Sequence, residues 1–253
     1  MQHDKLLDLA MTLAARAGEA ILAVRARGFA TRNKQDDTPV TEADHAAEAL
    51  ITAGLRAATP EIAVVAEEEV AAGRITEPGQ RFWLVDPLDG TREFARGRDD
   101  FAVCVGLVEN GCAVLGAVGA PVAGTVYGGI VGKGAWRRDA AGMQPISART
   151  EPEAGIVVVA SRHYSDDPRL APFLAGRHVA DIVHMGSALK FCRVADGSAD
   201  LYPRFGRTME WDTAAAQAML EAAGGRVLRL DGGELRYGKP GWENPGFVCT
   251  GRR

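Results

Sequence analysis

Apolar side chains recur at helical spacing through Asp4–Arg27, at Leu6, Leu9, Ala10, Leu13, Ala17, Ile21 and Val24. The pattern predicts an amphipathic helix that stops at Gly28. A polar stretch, Thr31–Thr38, follows, and Pro39-Val40 opens a second helical pattern running to about Ala57. Ile62–Ala66 reads as a short strand that leads straight into Glu67-Glu68-Glu69. Phe82–Val85 reads as a buried strand halted by Asp86-Pro87, because proline has no N–H for a central ladder. Phe101–Glu109, Ala113–Ala120, Gly124–Val131 and Gly134–Arg137, divided by Asn-Gly, Pro and Gly signals, predict antiparallel strands of one sheet.

The stretch Arg138–Gly155, rich in polar, Gly and Pro residues, predicts a domain junction that divides 1–145 from 146–253. Beyond it strand and helix alternate: strand at Ile156–Ser161, helix at Asp167–Ala175, strand at Ile182–His184, helix at Ser187–Ala195, strand at Ala199–Tyr202. A helix at Asp212–Ala223, ended by Gly224-Gly225, and two short strands close the pattern. The order argues for an α+β first half followed by an α/β second half.

Composition removes several functions. With 253 residues and 47% hydrophobic side chains the chain can bury a large core. A net charge of −4, with no basic stripe or aromatic platform, argues against a nucleic acid polymer as partner. A small anion remains possible as a ligand, because a bound cation reverses the local sign of a site. No run approaches the roughly 20 apolar residues of a membrane span. Four scattered cysteines, with no metal-type spacing and no stretch resembling a secretory signal, set the expectation of a reduced, cytoplasmic protein; peripheral association with the inner membrane stays open.

The chemistry concentrates in Phe82–Thr91, which reads Phe-Trp-Leu-Val-Asp-Pro-Leu-Asp-Gly-Thr. A buried strand that ends in Asp86 and Asp89 and opens into the N–H groups of Gly90 and Thr91 can hold a hard cation beside a phosphate. Asp-Pro and Asp-Gly are also ordinary turn pairs, so this segment alone leaves both readings open. Three further acidic sites shift the balance. Glu67-Glu68-Glu69 follows another strand, in the position where open α/β structures gather ligands. Asp212 stands at the expected N-cap of an alanine-rich helix, where capping alone would also explain it. Asp44, in Thr41-Glu42-Ala43-Asp44, would by itself pass for an exposed helix acid.

Together Glu67-Glu68, Asp86-Pro87-Leu88-Asp89-Gly90-Thr91 and Trp211-Asp212-Thr213-Ala214-Ala215 resemble the metal-binding signatures of the inositol monophosphatase superfamily, in the right order and over nearly the whole chain. The resemblance implies a layered αβαβα sugar-phosphatase fold with two domains and two or three Mg²⁺ ions. It implies that Glu67, Asp86 and the Leu88 carbonyl hold the first metal, and Asp86, Asp89 and Asp212 the second. Glu67, Thr91 and Asp44 would be catalytic, Thr91 and Asp44 as a pair that positions and deprotonates the attacking water. Gly90 and Thr91, with Glu67, Leu88, Asp89 and Asp212, would receive the phosphate. Sensitivity to Li⁺ is a further implication.

Within the superfamily, Gly186-Ser187-Ala188-Leu189-Lys190, Ala199-Asp200-Leu201-Tyr202-Pro203-Arg204 and Asn244-Pro245-Gly246-Phe247 are similar to the 3′(2′),5′-bisphosphate nucleotidase branch. That similarity implies a phosphoric monoester hydrolase of sulfur metabolism, removing the 3′-phosphate of adenosine 3′,5′-bisphosphate, or of its sulfated form. Ser187, Lys190 and Arg204 would contact the nucleotide, with His163 near the base. A nucleotide with two phosphates needs cations beyond the metals, which Lys190 and Arg204 can supply. The competing expectation is an inositol or other small sugar-phosphate phosphatase of the same fold. Dimers occur widely in this superfamily, so a homodimer is an open expectation. Ala216 stands where many such proteins carry glycine.

Overall fold

The computed structural model describes residues 2–33, 39–74 and 76–252. Helix α1 (His3–Arg27) leads to the paired strands β1 (Thr31–Asn33) and β2 (Pro39–Thr41), then to α2 (Glu42–Ala58). The expected helix start at Pro39-Val40 is thus corrected. These residues pair as a strand, and the helix opens at Glu42 because the Thr41 side chain accepts the Ala43 N–H at 3.1 Å. Residues 34–38 of the expected polar stretch lie outside the described residues.

Strand β3 (Ala63–Ala66), helix α3 (Glu67–Ala71), strand β4 (Arg81–Asp89) and helix α4 (Thr91–Ala95) follow, then β5 (Ala102–Glu109), β6 (Cys112–Ala120), β7 (Thr125–Ile130), β8 (Gly134–Asp139) and β9 (Gly142–Ile146). The seven strands β3–β9 form one sheet in chain order, parallel at β3/β4 and antiparallel elsewhere. Strand β4 does not stop at Asp86-Pro87. Asp86 lies opposite Cys104 and Asp89 opposite Ala102, so one extra residue bulges out. Pro87 falls in the bulge, where its missing N–H costs no ladder bond. The stretch expected as a junction contains β9, which reads as polar because it is an exposed edge strand.

The second half contains β10 (Ile156–Ser161), α5 (Leu170–Leu174), β11 (Val179–Met185), α6 (Leu189–Ala195), β12 (Leu201–Arg204), β13 (Thr208–Met209), α7 (Glu210–Ala222), β14 (Arg226–Arg229), β15 (Glu243–Asn244) and β16 (Phe247–Thr250). A second sheet has the order β11-β10-β12-β16-β14. Helices α1 and α2 cover the outer face of the first sheet with Leu6, Ile21, Ile51 and Leu55. Between the sheets lie α6 and α7, and α5 covers the far face of the second through Leu170 and Leu174. The layers are αβαβα, as expected.

Helix α7 settles in a groove made by three glycines. Gly106, Gly116 and Gly129 pair directly across β5, β6 and β7. A Cβ on Gly116 would lie 2.2 Å from the Ala215 carbonyl oxygen, and one on Gly129 2.9 Å from the Met219 Cα. The close fit carries the N-terminus of α7 to the C-terminal end of β4. Asp212 is the third residue of the helix rather than its N-cap; its Oδ2 accepts the Met209 N–H at 2.9 Å, so it steadies the helix start from inside the first turn. Among the described residues no helix is long and apolar enough to cross a membrane.

Candidate active site

A cavity of about 520 Å³ opens where β3, β4, α6, β12 and α7 end or begin. Glu67, Asp86, Asp89 and Asp212 form one wall, with Leu88, Gly90 and Thr91 beside them. Ser187, Lys190, Arg204 and His163 line the other side. Every residue expected to contact metal or substrate therefore meets in one place.

Each acid is held by local chemistry. Asp86, 2% exposed, accepts the Leu88 N–H at 2.9 Å, which turns the chain through the bulge. Asp89 accepts the Ala188 N–H from the second half of the chain. Burial pushes Asp86 well above the usual carboxylate range, and the charges of Glu67, Asp89 and Asp212 add to the rise. Burial also lifts Asp212 to about 8, with Asp89 and Glu67 reinforcing it. Asp89 rises to about 6 through burial, opposed by Lys190 and the Ala188 N–H. These shifts express carboxylates crowded together in low dielectric, a condition that a cation relieves.

Asp44 stands behind Thr91 and is buried, not exposed. Its Oδ2 accepts the Thr41 N–H at 2.8 Å and the Thr41 hydroxyl at 2.7 Å, while Oδ1 accepts the Thr91 hydroxyl at 2.9 Å. The Thr91 hydroxyl also lies 3.0 Å from the Leu88 carbonyl oxygen, so its single proton has two acceptors. Burial raises the Asp44 pKa, and the three hydrogen bonds oppose that rise.

On the opposite wall Lys190 is 3% exposed. Its Nζ donates to the carbonyls of Ser187 at 2.5 Å and Met185 at 3.3 Å, and lies 5.1 Å from the centre of the Tyr202 ring. Burial draws its pKa down to about 8 against the pull of Asp89. His163 pairs with Arg92 at 2.8 Å, and burial, then the Arg92 charge, lowers its pKa. Arg204 donates to the Arg207 carbonyl at 2.8 Å. Ala216, the departure from the usual glycine, is buried in the core and does not line the cavity.

Two arginines missing from the sequence reading also line the cavity, Arg92 and Arg207. Arg92 was detectable as a cation directly after the Asp-Gly-Thr turn, whereas Arg207 carries no local signal. Glu48 was missed as well. It is buried, and its Oε2 accepts the Glu68 N–H at 2.7 Å, fixing the start of α3 beside Glu67.

The donors on the acidic wall are all oxygens, which suits a hard divalent cation rather than zinc. Among the described residues no three acidic, His or Cys side chains close on one point as they stand.

The chain belongs to the inositol monophosphatase family, whose model matches residues 2–250. It is 43% identical over 248 residues to the 3′(2′),5′-bisphosphate nucleotidase CysQ of Salmonella typhimurium, covering 97% of this chain and 99% of that one. Its fold matches CysQ from Bacteroides thetaiotaomicron, a bacterial member of the inositol monophosphatase family, with a TM-score of 0.82 at 32% identity and 98% of each chain covered. An inositol monophosphatase from Anabaena gives a TM-score of 0.79 at 27% identity, over 100% of this chain and 92% of that one. The family is metal-dependent.

Proposed function

We propose that this protein is a Mg²⁺-dependent phosphatase that converts adenosine 3′,5′-bisphosphate, and its sulfated form, to products carrying only the 5′ group. The observation that carries the reading is the composition of one cavity, where five carboxylates, Glu67, Asp86, Asp89, Glu93 and Asp212, share the lining with a buried lysine and three arginines. A monoester needs only the first wall. A nucleotide with phosphates on both sides of its ribose can use both.

In this reading Glu67, Asp86, the Leu88 carbonyl, Asp89 and Asp212 hold two or three Mg²⁺ ions. When bound, these supply an activated water and neutralise charge on the leaving oxygen. The chain's own groups do the rest. The N–H groups of Gly90 and Thr91 orient the 3′-phosphate. The Thr91 hydroxyl, held by Asp44, aligns the attacking water, and the Asp44 carboxylate gives its proton a path away. Ser187, Lys190 and Arg204 hold the 5′ group, while His163 flanks the base. The reading includes a cytoplasmic setting and a homodimer, the latter checked by light scattering.

The test is phosphate release from adenosine 3′,5′-bisphosphate, inositol 1-phosphate and fructose 1,6-bisphosphate, with and without Mg²⁺ and Li⁺. A metal-dependent, Li⁺-sensitive preference for the nucleotide supports the reading. Preference for either of the others would keep the acidic wall but reassign the basic one.

A further inference from the structure

The turn between β11 and α6 is held in a way that packing alone does not require. Five consecutive residues each have a backbone group on a charged side chain. The His184 carbonyl accepts from Arg162 Nη2 at 3.1 Å, and the carbonyls of Met185 and Ser187 accept from Lys190. The N–H of Gly186 donates to Asp100 Oδ2 and that of Ala188 to Asp89 Oδ2. Arg162 also donates to the same Asp100 oxygen, closing a bridge. Asp89 and Asp100 belong to the β4–β5 region of the first sheet, whereas Arg162 and Lys190 belong to the second half of the chain.

The contact is close and specific. A Cβ on Gly186 would lie 2.7 Å from Glu93 Cγ and 2.8 Å from the Asp100 carbonyl oxygen, so the turn rests directly on the first half. Ser187, at its apex, has a φ of 53°, a left-handed conformation rarely adopted by a non-glycine residue. Such a conformation persists where the surroundings over-determine it, and Ser187 lines the cavity while Asp100 does not.

We propose that Asp100 and Arg162 are positioning residues that set substrate choice by fixing the distance between the two walls of the cavity. The inference rests on the bisphosphate reading above. The two phosphates of the substrate are joined by one ribose, so their anchor points must keep a set separation. A 3′-monophosphate lacks the second phosphate anchor, so that separation constrains it far less. The Asp100–Arg162 bridge ties the turn bearing Ser187, and the start of the helix bearing Lys190, to the strand end that bears Asp89.

The experiment compares adenosine 3′,5′-bisphosphate with adenosine 3′-monophosphate in wild type, Asp100→Asn, Arg162→Lys and Arg162→Met. Asparagine keeps an acceptor for the Gly186 N–H, and lysine keeps a charge without a fork that can bridge two acceptors. In Asp100→Asn and Arg162→Met the KM for the bisphosphate should rise about tenfold while kcat holds, with kcat/KM for the monophosphate within about twofold of wild type. Arg162→Lys should fall between. Equal losses on both substrates would reduce the bridge to a general structural stitch and overturn the proposal, as would an unchanged KM. A wild type indifferent to the 5′-phosphate would overturn the bisphosphate reading and this proposal with it.

Discussion

The Thr91 hydroxyl and the Asp44 carboxylate meet at 2.9 Å, joining the first residue of α4 to the first turn of α2. Asp44 is 2% exposed, and its other oxygen is committed to Thr41. An acid spent only on capping would not need a second hydroxyl from a residue 47 positions away. Asp44→Asn replaces an acceptor with an amide that cannot take the Thr91 proton. Turnover should fall at least about 100-fold with KM little changed, whereas Thr91→Ser keeps the hydroxyl and most of the rate. Steady-state kinetics decide, and a loss of less than about threefold in Asp44→Asn would remove the pair from the mechanism.

Lys190 and Arg204 test the basic wall. Lys190 already gives two donors to carbonyls, which leaves one for a ligand. Lys190→Met and Arg204→Gln should each cost about 2–3 kcal/mol of transition-state stabilisation for the bisphosphate, the scale of a charged hydrogen bond, and much less for a monoester. Equal losses on the two substrates would count against a second phosphate site.

The acidic wall makes a prediction that needs no turnover. Mg²⁺ bound by the folded chain alone should raise the melting temperature, by about 2.7 kcal/mol of stability at a free concentration of about 100 times Kd. Asp89→Asn and Asp212→Asn should shrink that rise and abolish hydrolysis while the protein stays folded. A rise of full size in both variants would move the metal site elsewhere.

Much of this site was legible because its ligands lie at the ends of apolar strands, where Glu67 and Asp86–Thr91 stand out within a few residues. The alternation of strands and helices pointed to an α+β first half and an α/β second half, and the layer order came from the resemblance to the superfamily. Features set by partners distant in the chain were not legible. Asp44 and Lys190, typical exposed types, are buried by contacts with Thr91 and Tyr202; the family resemblance singled them out, but no local pattern announced that burial. Asp100 finds Gly186 across 86 positions, and no local pattern announces it. Strand β9 was hidden for the opposite reason, since an edge strand open to water has the composition of a loop.

Glu48 supplies one separable part of the pH dependence, outside the acids of the cavity. Burial, with the charges of Glu68, Glu69 and Glu67, raises its pKa from 4.5 to about 7 despite the Glu68 N–H. The folded chain therefore holds this proton more tightly than the unfolded one. Its contribution to stability is full below pH 4.5 and is lost as the pH rises through 7. Glu48→Gln keeps an acceptor for the Glu68 N–H without the charge. It should match wild type near the acid end and exceed it above neutrality, by about 1–2 kcal/mol after solvent screening. Melting curves across that range check the sign, and parallel curves for the two proteins would reject the assignment.

Gly116 links packing to chemistry. A methyl group there would fall 2.2 Å from the Ala215 carbonyl oxygen and 2.4 Å from its Cα, and no rotamer change can relieve a clash with backbone. Gly116→Ala must therefore lift α7 from the sheet, at a cost of about 3 kcal/mol or more. Asp212 rides on the first turn of that helix, so the displacement also carries one carboxylate away from Asp86 and Asp89. The variant should melt lower and gain less stability from Mg²⁺ than wild type. A lower melting point with an undiminished Mg²⁺ response would mean that the α7 N-terminus is anchored independently, through Glu210 and its bonds to Gly238 and Lys239.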